Sequence, residues 1–187
     1  MSYVPSAAQT LGPFFRHALE RPGWNDLTTA QCPGERIRIL GRLLDGAHHA
    51  VPDGMLEIWQ ADAAGQYPRT DAMIEDFRGF GRSCTDGEGH FSFTTIKPGV
   101  VASHSGVPQA PHINVTIFAR GLTKALNTRI YFADCAAQNA LDPLLGELEQ
   151  PRRDTLILTR THDASPLATY RFEIILQGER ETAFLEI

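Results

Sequence analysis

Cysteine is scarce and scattered in this chain. Cys32, Cys84 and Cys135 are the only three in 187 residues. An odd number with no CxxC pair argues against a disulfide framework and against a cysteine-based zinc site. It suits a reducing compartment. No apolar run approaches the ~20 residues that a membrane span needs. Residues 1–6 lack the basic start and apolar middle of a signal peptide, so the expected location is the cytoplasm. Positive charge is also in short supply. Seventeen Lys and Arg stand against twenty-two Asp and Glu, a net charge of -5. That balance argues against nucleic acid or an anionic membrane as the main partner. There is no GxSxG, no GxGxxG after a strand and no Gly-Lys-Ser/Thr loop, so the common hydrolase and nucleotide sites have no footing. Internal repeats and low-complexity segments are absent.

What the chain does have is a succession of short period-two segments. Arg36-Ile37-Arg38-Ile39-Leu40-Gly41-Arg42-Leu43 alternates polar and apolar residues, as a half-buried strand does. Met55 to Gln60 follows the Pro52-Asp53-Gly54 turn. Residues 63–81 read as a long irregular stretch. Asp86-Gly87-Glu88-Gly89 is a hairpin turn signal that leads into a strand over His90 to Ile96. His112 to Arg120 and Thr128 to Phe132 are further strands. Asp154 to Arg160, Thr169 to Leu176 and Thr182 to Ile187 continue the series. Ala133 to Gln150 is the one short helical region, interrupted by Pro143. The fold class is therefore all-β, a β-sandwich of mostly antiparallel strands. The expected organisation is one domain over residues 1–187, with an irregular N-terminal arm over residues 1–35.

Two histidine features invite a metal reading. His48-His49 sits in a turn, and adjacent residues of an extended chain point opposite ways, so a solvated turn is the simpler account. His112 opens a strand, where residues i and i+2 share a face. Two ligands from that strand would read His-x-His, but the sequence is His112-Ile113-Asn114. A neutral amide is a weak ligand for ferric iron. His112 then reads as a buried, hydrogen-bonded strand residue, or as one ligand with unusual partners.

Leu56-Glu57-Ile58-Trp59-Gln60-Ala61-Asp62-Ala63-Ala64-Gly65-Gln66-Tyr67, Phe80-Gly81-Arg82, Thr95-Ile96-Lys97-Pro98-Gly99 and Pro111-His112-Ile113-Asn114 occur in an order that resembles the intradiol catechol dioxygenases. Gln9-Thr10-Leu11-Gly12-Pro13-Phe14, Phe118-Ala119-Arg120-Gly121-Leu122, Thr128-Arg129-Ile130-Tyr131-Phe132 and Ile175-Leu176-Gln177-Gly178 extend the resemblance over nearly the whole chain. Such enzymes hold Fe(III) with two tyrosinates and two histidines, and open a catechol ring between its hydroxyls using both atoms of O2. One tyrosine lies two residues after the Lys-Pro-Gly turn, where this sequence has Val101. The second histidine is replaced by Asn114. The other tyrosine belongs to the loop between Tyr67 and Phe77. Tyr67 matches the alanine-rich turn instead, and no tyrosine follows it in that loop.

The resemblance therefore implies a chain with no catalytic residue and no metal ligand set of its own. It implies an obligate hetero-oligomer with a beta chain of the same family, Fe(III) held in that partner, and protocatechuate and O2 as substrates. The positions that match a pocket wall are Thr10, Gly12, Pro13 and Arg129, in a substrate-binding role. Each has a plainer reading: a turn hydroxyl, a tight turn, and a surface ion pair for Arg129. An implied carboxylate on the substrate favours the guanidinium fork. Two other readings stay open: a self-sufficient dioxygenase with metal at His112, and a β-sandwich binding module without catalysis.

Overall fold

A computed structural model describes residues 7, 9–12, 14–68, 77–103, 106–161 and 165–186. Among the described residues eight strands make one long sheet: β1 (Arg36–Leu44), β2 (Met55–Gln60), β3 (Phe80–Cys84), β4 (His90–Ile96), β5 (His112–Phe118), β6 (Leu126–Phe132), β7 (Ile157–Thr161) and β8 (Ala168–Ile175). Their order is β3-β2-β5-β6-β7-β8-β1-β4. The sheet folds over so that its two halves share one core. Ile37, Ile39 and Phe93 come from one half, and Ile58, Ile113, Val115 and Ile130 from the other. The β6–β7 and β1–β8 pairs are parallel. The rest are antiparallel, as the alternation predicts.

Strand β3 starts at the end of the stretch read as irregular and runs three residues past it, where no strand was expected. Its inward positions are Gly81 and Ser83, so it shows no apolar alternation. Gly81 is small for a reason: a Cβ there would stand 2.4 Å from Cδ1 of Leu27, which caps the core from the arm. Leu27 is 1% exposed. The arm is thus neither wholly irregular nor wholly peripheral. Phe14–Leu19 forms helix α1, whose Arg16 donates to the carbonyls of Pro52 and Thr85.

The expectation of one helical region needs correction on that count. In the second half a 3-10 turn (Ala133–Cys135) precedes α2 (Ala136–Asn139), α3 (Pro143–Glu147) and α4 (Gln150–Asp154). Pro143 starts a helix rather than merely breaking one. Its missing N–H is harmless in the first turn, and Asp142 caps the N–H groups of Leu144 and Leu145. Helix α4 takes up Asp154, so β7 begins three residues later than expected. The last expected strand, Thr182 to Ile187, amounts to a single bridge between Asn127 and Leu185, with Ile187 outside the described residues. Among the described residues, no helix is long and apolar enough to cross a membrane.

Candidate functional site

The outer face of the β2-β5-β6 half carries the chemistry. On β5, Ile113, Val115 and Ile117 point into the core, which turns His112, Asn114 and Thr116 outward. Pairing registers place Trp59, Asn114 and Arg129 side by side across β2, β5 and β6. The loop after β2 lies over this row. Asp62 accepts from the N–H groups of Ala64 and Gln66, which folds the loop tightly. Gly65 has φ +76°, and a Cβ there would lie 1.9 Å from the carbonyl oxygen of Val100. The Gly99 N–H donates to the carbonyl of Asp62 at 2.9 Å. The loop is thereby docked on the Lys-Pro-Gly turn, and Tyr67 is delivered to β5.

Tyr67 stacks on Trp59 at 5.8 Å between centroids. Its hydroxyl lies 3.1 Å from Nε2 of His112, and Asn114 Nδ2 donates to it at 2.9 Å. Asn114 Oδ1 accepts from Arg129 Nε at 3.1 Å, and Arg129 also donates to Gln109 Oε1 at 3.0 Å. Gln109 pairs its backbone with buried Val101. His112 Nδ1 sits 2.7 Å from the carbonyl of Ala110. A carbonyl only accepts, so Nδ1 carries the proton. Burial, with the Arg129 charge as the second cause, pulls the His112 imidazole down to about 4. At pH 7 it is neutral, Nε2 is a lone pair, and the Tyr67 hydroxyl must donate to it. Burial also pushes the Tyr67 phenol up, so it keeps that proton.

Buried Asp142 supports the cluster from behind. It accepts from Ala110 N at 2.8 Å and from the Tyr131 hydroxyl at 3.1 Å. Burial raises the Tyr131 phenol as well. A groove of about 1,210 Å³ runs elsewhere, along β1, β4 and β8, and none of the cluster residues lines it. We place the chemistry at the cluster, because there the polar groups converge.

The residues expected to form one substrate wall are divided between two places. Arg129 is half-buried inside the cluster. Thr10 is exposed, and its Oγ1 accepts from Gly121 N at 2.7 Å. Gly12 is half-hidden by nothing: it is exposed, beside α1, whose Phe15 packs on Phe118. Phe118 is four residues from Asn114, about 13 Å along an extended strand. Pro13 lies outside the described residues, as does most of the loop between Tyr67 and Phe77. The exposed pair His48-His49 has Asp45 as its neighbour, 3.6 Å from His49, and joins no cluster of three or more metal donors among the described residues. Tyr67 and Gln109 are cluster members that the sequence did not reveal. Both reach it from loops, where no periodicity marks a direction.

A family model described as dioxygenase matches residues 12–178. The protocatechuate 3,4-dioxygenase alpha chain of Pseudomonas putida is 42% identical over 190 residues, which cover 96% of this chain and 94% of that one. The chain belongs to the intradiol dioxygenase family. The protocatechuate 3,4-dioxygenase beta chain of Burkholderia cepacia is 34% identical, over 96% of this chain and 79% of its own. Among solved structures, an intradiol ring-cleavage dioxygenase from Tetranychus urticae superposes with a TM-score of 0.64 at 18% identity, covering 85% of this chain and 90% of that one. That last likeness speaks for the fold alone.

Intradiol dioxygenases depend on iron. The donors at this cluster do not fit it. Val101 offers no phenolate, and Asn114 has both ends of its amide engaged. The lone pair of His112 is taken by Tyr67. Arg129 adds a permanent positive charge next to these groups, which opposes a trivalent cation. A self-sufficient metal centre at His112 has no support in this geometry.

Proposed function

We propose that this chain is the non-iron-binding alpha subunit of a protocatechuate 3,4-dioxygenase, a single-domain member whose arm spans residues 1–35. In this reading a beta chain of the same family holds Fe(III), and the two chains form an obligate hetero-oligomer in the cytoplasm. The assembled enzyme adds both atoms of O2 across the bond between the two hydroxyl-bearing carbons of protocatechuate, giving 3-carboxy-cis,cis-muconate. The chain alone is inactive. The observation that carries this reading is the guanidinium of Arg129 hydrogen-bonded to Asn114, among residues whose family counterparts bind metal.

Within the assembly, Arg129 contributes a charged contact to the substrate carboxylate. Thr10, Gly12 and Pro13 contribute a wall through the arm. The two groups stand on different elements, and in this reading the partner's surface completes the pocket around both.

Co-expression with an iron-bearing family member tests the proposal. The pair is expected to co-purify, to carry one iron per pair, and to consume O2 with protocatechuate. Each chain alone is expected to show far lower turnover. Full activity of the iron-bearing chain without this one, or failure to associate with it, would sink the reading.

A further inference from the structure

The hydrogen bonds that reach Arg129 run in one direction only, because both ends of the chain are chemically fixed. At one end, the Ala110 carbonyl can only accept, which puts the His112 proton on Nδ1. His112 Nε2 then accepts from Tyr67. With its one proton committed to His112, the Tyr67 oxygen can only accept from Asn114. The Asn114 NH2 group must therefore face Tyr67. The carbonyl of Trp59, 3.2 Å from the same Nδ2, independently requires the same orientation. At the other end stands Arg129, a guanidinium that can only donate. It meets the amide oxygen of Asn114. An amide turned the other way would present NH2 to a cation and set its oxygen against the Tyr67 oxygen and the Trp59 carbonyl, neither of which has a proton to give it.

We propose that Tyr67 and Asn114 are positioning residues for Arg129, with His112 retained as the terminal acceptor that sets the polarity of the relay. The Tyr67 hydroxyl fixes the Asn114 amide, and the amide oxygen fixes the direction in which the guanidinium is presented. Trp59, stacked on Tyr67 and 37% exposed, holds the phenol from the solvent side. Asp142 holds the Ala110 segment, and so the carbonyl that determines the imidazole tautomer. The specificity for a carboxylate-bearing catechol thus depends on residues with no contact to the substrate. This inference rests on the reading of Arg129 as the carboxylate contact.

The test uses the assembled enzyme with Tyr67→Phe, which deletes the hydroxyl but keeps the ring on Trp59. The Michaelis constant for protocatechuate is expected to rise about two- to tenfold, the weight of one neutral hydrogen bond. Turnover at saturation should hold, and catechol, which lacks the carboxylate, should respond little. Tyr67→Phe combined with Arg129→Ala should be no worse than Arg129→Ala alone, as members of one network are not additive. A crystal structure of the Tyr67→Phe assembly should show the Asn114 amide shifted from its place and the guanidinium displaced with it. An unmoved guanidinium together with an unchanged Michaelis constant in Tyr67→Phe would overturn the relay. If Arg129→Ala affects protocatechuate and Tyr67→Phe does not, the relay fails while the function of Arg129 stands. If Arg129→Ala is itself silent, the carboxylate contact fails, and the crystal structure alone decides whether the relay positions the guanidinium.

Discussion

The Tyr67 hydroxyl and Nε2 of His112 lie 3.1 Å apart, although 45 residues separate them in the chain. The contact uses the lone pair that a metal would need. The neutral imidazole, protonated on Nδ1, has no other free donor atom to offer. His112 is thereby the end of a hydrogen-bond relay.

The same contact predicts metal behaviour. The chain purified alone should be colourless and hold no stoichiometric iron. Asn114→His, which restores His-x-His, should not change that, since Val101 supplies no phenolate and Arg129 keeps its charge. Iron analysis and the visible spectrum decide the matter. A red-brown protein with one iron per chain would contradict the donor argument.

Arg129→Ala in the assembled enzyme should raise the Michaelis constant for protocatechuate about ten- to a hundredfold, the range for a charge-assisted contact. Iron content and colour should stay normal. Catechol is the informative control. Equal loss on both substrates would make Arg129 structural, serving only Asn114 and Gln109.

Stability should depend on His112 at mildly acid pH. Its folded value of about 4 lies below the usual 6.5. Between those values the unfolded chain binds more protons than the folded one, so stability falls as pH drops through that window. At ~1.4 kcal/mol per pH unit, this one group accounts for about 3 kcal/mol. Denaturant unfolding from pH 7 to 4 should show that slope, and His112→Gln should flatten it. An identical slope in the variant would assign the effect to other groups.

Asp142→Ala should cost about 2–5 kcal/mol in stability. It removes a helix cap and leaves the buried Ala110 N–H and Tyr131 hydroxyl without their acceptor. Thermal unfolding measures the loss. Asp142→Asn, which keeps one acceptor oxygen, should lose less. A loss below ~0.5 kcal/mol in the alanine variant would show that water or a neighbour replaces the carboxylate.

Much of this protein was legible before any coordinates. The alternation in β1, β2, β4 and β5 is a local property, because successive side chains of a strand point to opposite faces. Ligand loss at Val101 and Asn114 is equally local, since a side chain's donor chemistry does not depend on its neighbours. Strand β3 escaped because its buried positions are Gly81, which leaves room for Leu27, and Ser83, neither of them apolar enough to show an alternation.

The tertiary structure alone decided which side chains meet at His112 and Asn114. Tyr67 meets His112 because Asp62 folds its loop and Gly65 lets that loop dock on Val100. Gln109 meets Arg129 because its backbone pairs with Val101. These approaches join segments far apart in sequence, through turns that carry no periodicity. The sequence by itself determined which donors are missing and which face of β5 carries the remainder. Packing determined that a phenol, an amide and a guanidinium would close over that face, with every proton directed by a carbonyl at one end and a permanent cation at the other.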